Sequence, residues 1–337
     1  MVSIRFFCLW KLQKKRCWAC GFLASIKWGK QAGKQRYKCK NCGILFTGSN
    51  PSVTKANQFV WFKKWVVGKR TFEQLVTETG LSKSTIQRLF KRYLNEPPTL
   101  SVYPSERVNL LIDGTYFTRD LCLILYRDNT IKFTQLYRFS DGERYEELKE
   151  DLENLLILGV QIESITCDGN RALIKAIRKV CPQVTLQRCV IHVQRMCRIW
   201  LSSNPKSIPG QELRKIVSTL HLIQSKQELS FWLLELANWD ARHHQFVNEK
   251  TVNPITGKYW YKHKLLRRSF SVLKSALPNL FEYLENQRIP KSTNGLESFF
   301  GHLKINLNVH RGLSTQNRKS FLRWYLYFKN SRMKGFS

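Results

Sequence analysis

One apolar stretch constrains the fold of this chain more than any other, because it carries a single acidic residue next to side chains of the buried type. Val108 to Ile112 is almost wholly aliphatic, as in a strand covered on both faces, and Asp113 follows at the point where we expect that strand to end. Aspartate is rarely buried without a partner. The carboxylate could cap the strand end by accepting backbone N–H groups, but we favour a metal ion as its partner.

Two later segments offer acidic residues in comparable settings. Ile162 to Thr166 is a second apolar strand, and Asp168 follows it in an Asp-Gly-Asn sequence that would also suit a plain turn. Glu297 lies one turn into a helix that opens at Thr293 or Asn294, and considered alone it is an ordinary helical glutamate. Three converging carboxylates can hold two divalent ions, and such hard oxygen ligands select Mg²⁺ or Mn²⁺ over zinc. Two ions in this setting promote phosphodiester cleavage and strand transfer.

The net charge of the chain indicates which classes of partner it can bind. Its 337 residues include 56 Lys and Arg against 24 Asp and Glu, a formal net charge of +32, which favours nucleic acid or an anionic membrane as the partner. No apolar run reaches the roughly 18 residues that span a bilayer, and the N-terminus lacks the cleavage region of a signal peptide. We therefore expect a soluble intracellular protein.

Two Cys-x-x-Cys pairs predict a metal site in the basic front of the chain. Residues 1–100 contain 20 Lys and Arg but only three acidic residues. Four unrelated core cysteines are improbable at this spacing, and a reducing compartment favours metal over disulfides. We predict a zinc ribbon over residues 1–50, with a structural Zn²⁺ held by four thiolates: Cys17, Cys20, Cys39 and Cys42.

Residues 51–97 are predicted to form a helix-turn-helix DNA-binding domain. Thr71 to Tyr93 divides into two amphipathic helices at Gly80, and Ser82 can cap the second helix. A plain helical hairpin with a solvated basic face would show the same pattern, but the local charge and the neighbouring ribbon favour DNA binding. The polar side chains on the outer, N-terminal face of the second helix would then contact phosphates and base edges in a major groove: Lys83, Ser84, Thr85, Gln87 and Arg88.

From Val108 the pattern changes to strands and helices in the order β-β-β-α-β-α-β, with the first of these helices running from Ser140 to Leu158. This is the order of an α/β ribonuclease H-like mixed sheet, in which the first and fourth strands are neighbours. Asp113 and Asp168 should therefore lie side by side. We assign residues 105–193 and 290–335 to this catalytic core, and we predict an all-α insertion over residues 194–289. The first helix should turn four leucines inward: Leu148, Leu152, Leu155 and Leu156.

Four motifs in a fixed order resemble those of the Mutator-like group of bacterial insertion-sequence DDE transposases. They cover roughly residues 108–330 and read Leu-Ile-Asp113-Gly-Thr-Tyr, Thr-Cys-Asp168-Gly-Asn, Gln187-Arg188-Cys189-Val190-Ile191-His192 and Ser292-Thr293-Asn294-Gly-Leu-Glu297. The resemblance implies a ribonuclease H-like core in which Asp113, Asp168 and Glu297 are the catalytic Mg²⁺ ligands. It also implies Mg²⁺-dependent cutting and joining of DNA at the ends of a mobile element.

The same resemblance makes Cys189 and His192 the Cys-x-x-His signature of the family, with Asn294 in the motif of the third acid. The role of these residues stays open. Two ligands are too few for a closed zinc site, and burial beside the active site is equally compatible with the sequence.

Two hypotheses from different classes follow. In the first, the chain is a transposase whose ribbon and helix-turn-helix bind terminal inverted repeats while the core cuts and rejoins DNA. In the second, it is a transposase-derived DNA-binding regulator whose core is only a scaffold; the intact acidic trio favours the first. A structure-selective nuclease with the same metals is a third possibility. The resemblance further implies double-stranded DNA as partner, both terminal repeats and target, a homo-oligomer on paired ends, no membrane, and the cytoplasm of a bacterium, at the nucleoid.

Overall fold

The computed structural model describes residues 15–47 and 51–331. Parts of the predicted ribbon, residues 1–14 and 48–50, and the last residues of the predicted core therefore lie outside the described residues. The chain divides into an N-terminal unit, residues 1–93, and a core unit, residues 94–337. No helix in the described part of the chain is long and apolar enough to cross a membrane.

The N-terminal unit begins with a small antiparallel sheet in the order β1-β2-β3: β1 Ser25–Gln31, β2 Lys34–Cys39 and β3 Leu45–Phe46. Three helices follow, α1 Pro51–Val67, α2 Phe72–Thr79 and α3 Lys83–Asn95. Thr71 and Gln74 form a capping box at the start of α2, and Gly80 ends α2 with a φ of 68°. Buried aromatic rings hold the helices together, since Phe90 lies 5.3 Å from both Phe62 and Trp65 between ring centroids.

The core unit is built on a five-stranded mixed sheet in the order β6-β5-β4-β7-β8. Its strands are β4 Val108–Thr118, β5 Leu121–Asp128, β6 Thr134–Ser140, β7 Ile162–Cys167 and β8 Thr185–Arg188. Strands β4, β5 and β6 pair antiparallel, whereas β7 is parallel to both β4 and β8. This is the predicted ribonuclease H-like sheet, with its first and fourth strands adjacent. Helices α4 Tyr145–Ile157 and α5 Arg171–Val180 share a hydrophobic core with the sheet.

Three details of the core unit differ from the prediction. Asp113 does not end its strand, because antiparallel pairing with β5 carries β4 on to Thr118. Helix α4 begins at Tyr145 rather than Ser140, because β6 occupies the chain up to Ser140. Leu156 is 40% exposed, since it lies about a quarter of a turn away from the stripe formed by the other three leucines.

The insertion carries four α-helices, three short 3-10 helices and one short hairpin. The α-helices are α6 Val190–Leu201, α7 Ile208–Thr219, α8 Lys226–Val247 and α9 Lys264–Ala276, and they enclose a hydrophobic core of their own. The hairpin, β9 Lys250–Val252 with β10 Tyr259–Tyr261, departs from the predicted all-α insertion. Its turn is made by Asn253, whose side chain accepts backbone N–H groups, and by Gly257 at a φ of 67°. Helices α10 Asn294–Asn308 and α11 Thr315–Ser331 complete the core unit.

Candidate active site

Asp113 and Asp168 lie next to each other where the parallel pairing of β4 with β7 ends. Ile112 opposite Cys167 is the last pair of that ladder, and each aspartate is the next residue of its chain segment. Burial raises the pKa of Asp113 to about 6, and the charges of Asp168 and Glu297 add to the rise. The charge of His192 and the N–H of Gly114 act in the opposite direction.

Glu297 projects from the first turn of α10 and is held by two cationic side chains. Its Oε2 accepts a hydrogen bond from Arg195 at 3.2 Å, and its Oε1 lies 3.4 Å from a second nitrogen of Arg195. The Nε2 of His192 lies 3.5 Å from the same Oε1. The charge of Glu297 contributes to the raised pKa of Asp113, so Glu297 lies within electrostatic reach of that carboxylate.

The spacing of these carboxylates is wider than the ligand shell of one small ion. Among the residues that the structure describes, the only group of three or more His, Cys, Asp or Glu ligand atoms within 4.8 Å of one another belongs to four cysteines elsewhere. Two catalytic ions about 3.5–4 Å apart need a wider set of oxygens than one ion does. The donor chemistry, three carboxylates contributed by two strands and a helix, suits such a pair.

A fourth carboxylate, Glu143, reaches the same centre. It lies between β6 and α4, and its Oε2 accepts a hydrogen bond of 2.5 Å from the side-chain amide of Asn170. Burial raises the pKa of Glu143 to about 7, with further contributions from the charges of Asp168 and Asp113. A Cβ at Gly114 would lie 2.5 Å from Glu143 Oε1, so the glycine after Asp113 makes room for this side chain. Glu143 falls within the helix predicted over Ser140 to Leu158, and nothing in the sequence distinguishes it from the other acids of that segment.

The Asp-Gly-Asn segment after β7 is shaped by close backbone contacts. Asp168 Oδ1 accepts the N–H of Asn170 at 2.8 Å, as in a turn, and Asn170 in turn caps α5. Gly169 has a φ of 96°, and a Cβ there would lie 2.0 Å from the guanidinium of Arg188. The turn alternative therefore describes part of what Asp168 does, and it leaves the second carboxylate oxygen for other partners.

Cys189 and His192 lie beside the acids, at the start of α6. Cys189 is fully buried, and its Sγ accepts the backbone N–H groups of His192 and Thr293. Although burial opposes it, interaction with His192 and Thr293 lowers the pKa of the Cys189 thiol. Interaction with the Cys189 sulfur raises the pKa of His192 to about 9, and the charges of Asp113 and Asp168 support the rise. Asn294 is exposed at the first position of α10, one turn before Glu297.

The four predicted zinc ligands meet in the N-terminal unit. The Sγ atoms of Cys17 and Cys42 are 3.7 Å apart, those of Cys20 and Cys39 are 3.5 Å apart, and all four lie within 4.8 Å of one another. A tetrahedral zinc site with Zn–S bonds of about 2.3 Å has sulfurs about 3.8 Å apart. The four thiols therefore have the geometry to hold a metal ion.

The five predicted DNA-reading residues lie at the start of α3, and all are exposed or half-buried. Lys83 forms a 2.7 Å ion pair with Glu73 of α2. Ser84 and Thr85 hydrogen-bond to the Ser82 hydroxyl that caps the helix. Gln87 and Arg88 point outward from the next turn, opposite the buried face formed by Ile86, Leu89 and Phe90. The outer face is thus polar, and its role in DNA recognition stays a prediction.

The order and directions of the five strands define a ribonuclease H-like fold, and comparison with known sequences gives the family. Residues 137–323, which are 187 of the 337, match the family described as Transposase, Mutator family, and the chain belongs to that family. The predicted Mutator-like resemblance is thereby confirmed. The comparison with curated proteins returned no match.

Among solved structures, the chain is similar to the HTLV-2 integrase catalytic core domain in complex with magnesium, in its dimeric form. The two are 16% identical, the alignment covers 49% of this chain and 99% of that chain, and the TM-score is 0.21. At that score nothing about this chain follows from the likeness.

Proposed function

We propose that the protein is a DNA transposase that cuts and joins DNA at the ends of an insertion sequence by a two-metal mechanism. The observation that carries the proposal is the adjacency of Asp113 and Asp168 at the end of the β4–β7 ladder, where the charge of Glu297 also contributes to the raised pKa of Asp113. Such an arrangement costs folding free energy because like charges are brought together with little water. Divalent cations would offset that cost, and membership of a transposase family supports the assignment.

Asp113, Asp168 and Glu297 would hold two Mg²⁺ or Mn²⁺ ions, with Glu143 as a fourth carboxylate next to Asp113 and Asp168. When bound, the ions would activate the attacking water or 3′-hydroxyl and stabilise the leaving oxygen. The chain itself orients the ligands. The β4–β7 ladder fixes the two aspartates, the amide of Asn170 holds Glu143, and the side chains of His192 and Arg195 hold Glu297.

The N-terminal unit would deliver the DNA. We assign structural Zn²⁺ to the four clustered cysteines and recognition of the terminal inverted repeats to the outer face of α3, with Arg88 and Gln87 as base readers. The charge of +32 supports contact with both the element ends and the target duplex. Joining two ends requires that they be held together, so we propose that the protein acts as a homo-oligomer on paired ends. Its place of action would be the bacterial cytoplasm, at the nucleoid.

The test is Mg²⁺-dependent cleavage of oligonucleotides that carry the element ends. Asp113→Asn should abolish cleavage while binding of the ends survives, because the substitution removes a metal ligand and leaves α3 untouched. Asp120→Asn, in the exposed turn after β4, is the matched control and should cleave like the wild type.

The same assay separates the alternatives. Wild-type protein that binds the ends but never cuts them would be a transposase-derived regulator. Cleavage without joined strands among the products would indicate a structure-selective nuclease. Loss of end binding together with cleavage in Asp113→Asn would contradict the proposed division between binding and catalytic units.

A further inference from the structure

Cys189 and His192 lie at the point where three segments of the core unit meet. The backbone N–H of Cys189 donates to the carbonyl oxygen of Cys167 at 2.7 Å, and Cys167 is the residue before Asp168. The next N–H, that of Val190, donates to the carbonyl of Lys291 at 3.0 Å, just ahead of α10. The start of α6 is thus bonded both to the strand of the second acid and to the segment that leads to the third.

The Cys189 side chain strengthens this junction. Its Sγ accepts the N–H of Thr293 at 3.3 Å and that of His192 at 3.5 Å, and the Thr293 hydroxyl lies 3.5 Å from the same sulfur. Cys189 and Thr293 are both fully buried. One sulfur therefore caps α6 and also holds the residue that precedes α10. A serine oxygen would draw its donors to about 2.9 Å, so these longer contacts are suited to sulfur.

His192 extends the connection to the catalytic carboxylate. Its Nδ1 lies 3.3 Å from the Thr293 hydroxyl, and its Nε2 lies 3.5 Å from Glu297 Oε1. The backbone N–H of Glu297 donates to the carbonyl oxygen of Thr293 at 3.0 Å. Thr293 is thus bonded to Cys189, His192 and Glu297, and it sets where the first turn of α10 begins.

We propose that Cys189 and His192 are positioning residues that fix the start of α10 and the Glu297 carboxylate on it. Cys189 acts through Thr293, and His192 acts both through Thr293 and by its direct contact with Glu297. This inference rests on the proposed function, in which Glu297 is a metal ligand. In this role Cys189 and His192 orient a ligand of Mg²⁺, and neither residue binds a zinc ion itself. Partners that orient metal ligands in this way typically change metal affinity by about 10–100-fold when removed.

The geometry distinguishes this positioning role from that of a zinc ligand and from that of a buried apolar side chain. Within the described part of the chain, neither Cys189 nor His192 belongs to a group of three close ligand atoms, which a zinc site would need. Cys189 is also more than an apolar filler, because its sulfur receives hydrogen bonds from two different helix starts. Cys197, on the same helix and equally buried, belongs to the hydrophobic core that the helices of the insertion enclose, where its thiol donates to the Ser269 carbonyl oxygen.

The experiment compares Cys189→Ala, Cys189→Ser and Thr293→Val with Cys197→Ala as the matched control, all as full-length, zinc-loaded protein. Mn²⁺ binding is measured by electron paramagnetic resonance of the free ion, and the Mg²⁺ dependence of end cleavage is measured in parallel. Thermal unfolding and zinc content are recorded for each variant. Cys189→Ala should weaken Mn²⁺ binding and raise the half-saturating Mg²⁺ concentration about tenfold, with end binding and zinc content unchanged. Thr293→Val and Cys189→Ser should show smaller shifts in the same direction.

Cys197→Ala should lose thermal stability like Cys189→Ala but bind Mn²⁺ like the wild type. If the two alanine variants bind Mn²⁺ equally well, or if Cys189→Ala loses zinc, the positioning role is overturned. Should the wild type fail to cleave end DNA, the proposed function falls, and the Mn²⁺ titration still decides the role of Cys189.

Discussion

Gly169 is the position where one added methyl group should disturb the candidate centre most. Its φ of 96° lies in the left-handed region, which costs a residue with a Cβ about 1–3 kcal/mol. The added Cβ would also lie 2.0 Å from the Arg188 guanidinium, which must then move. Arg188 is 8% exposed and donates to the Asp168 carbonyl oxygen at 3.4 Å, so displacing it costs about a further 1–3 kcal/mol. Gly169→Ala should therefore lower the free energy of unfolding by about 2–6 kcal/mol, a large share of the ~5–15 kcal/mol that is typical.

A second glycine provides a control of opposite sign. Gly301 lies inside α10, and a Cβ there would meet nothing within 4 Å. Alanine is favoured over glycine inside a helix by about 0.5–1 kcal/mol, so Gly301→Ala should raise stability. Urea unfolding followed by circular dichroism measures both variants. Equal midpoints for Gly169→Ala and the wild type would refute the close approach of Gly169 and Arg188, and with it the fixed position of Asp168.

Three further predictions concern the metals and the DNA. Glu143→Gln should raise the Mg²⁺ concentration that gives half-maximal cleavage about tenfold, while the control Glu153→Gln, on the exposed side of α4, should leave it unchanged. The same Mg²⁺ dependence in both variants would show that Glu143 takes no part in metal binding. Arg88→Ala should weaken binding of end DNA, measured by fluorescence anisotropy, by about 1–3 kcal/mol and flatten its salt dependence; unchanged affinity would make α3 part of a plain helical hairpin. Cys39→Ser should abolish bound zinc, measured by atomic absorption, and expose the N-terminal unit to proteases; retained zinc would contradict the four-thiolate site.

The sheet of the core unit was predictable because it follows from patterns local to the chain. Apolar runs separated by turns predict the strands. The order β-β-β-α-β-α-β predicts a ribonuclease H-like sheet in which the first and fourth strands pair, as they do in the structure. The length of β4 was not predictable, since its second half depends on pairing with β5 beyond Asp113. The β9–β10 hairpin was missed because its three-residue strands are too short and too exposed to show an alternating pattern.

Only those residues of the candidate site that lie within recognisable sequence motifs could be predicted. Asp113 and Asp168 each follow an apolar run, which marks them in the sequence. The case for Glu297 depended instead on the two aspartates and on the family resemblance. No sequence pattern distinguishes Glu143 or Arg195, because their contacts form only in the folded chain. Glu143 occupies the space left by Gly114, and Arg195 binds the carboxylate of Glu297, which is 102 residues away. The catalytic roles of all these residues stay predictions until cleavage is assayed.

Anomalous diffraction from crystals of the protein with end DNA and Mn²⁺ would show whether Asp113, Asp168 and Glu297 together hold two divalent ions. We expect two manganese peaks about 3.5–4 Å apart, each within coordination distance of carboxylate oxygens from this set. A fully formed DNA complex with no manganese between these carboxylates, or with Glu297 still bound to Arg195 and away from any ion, would contradict this expectation.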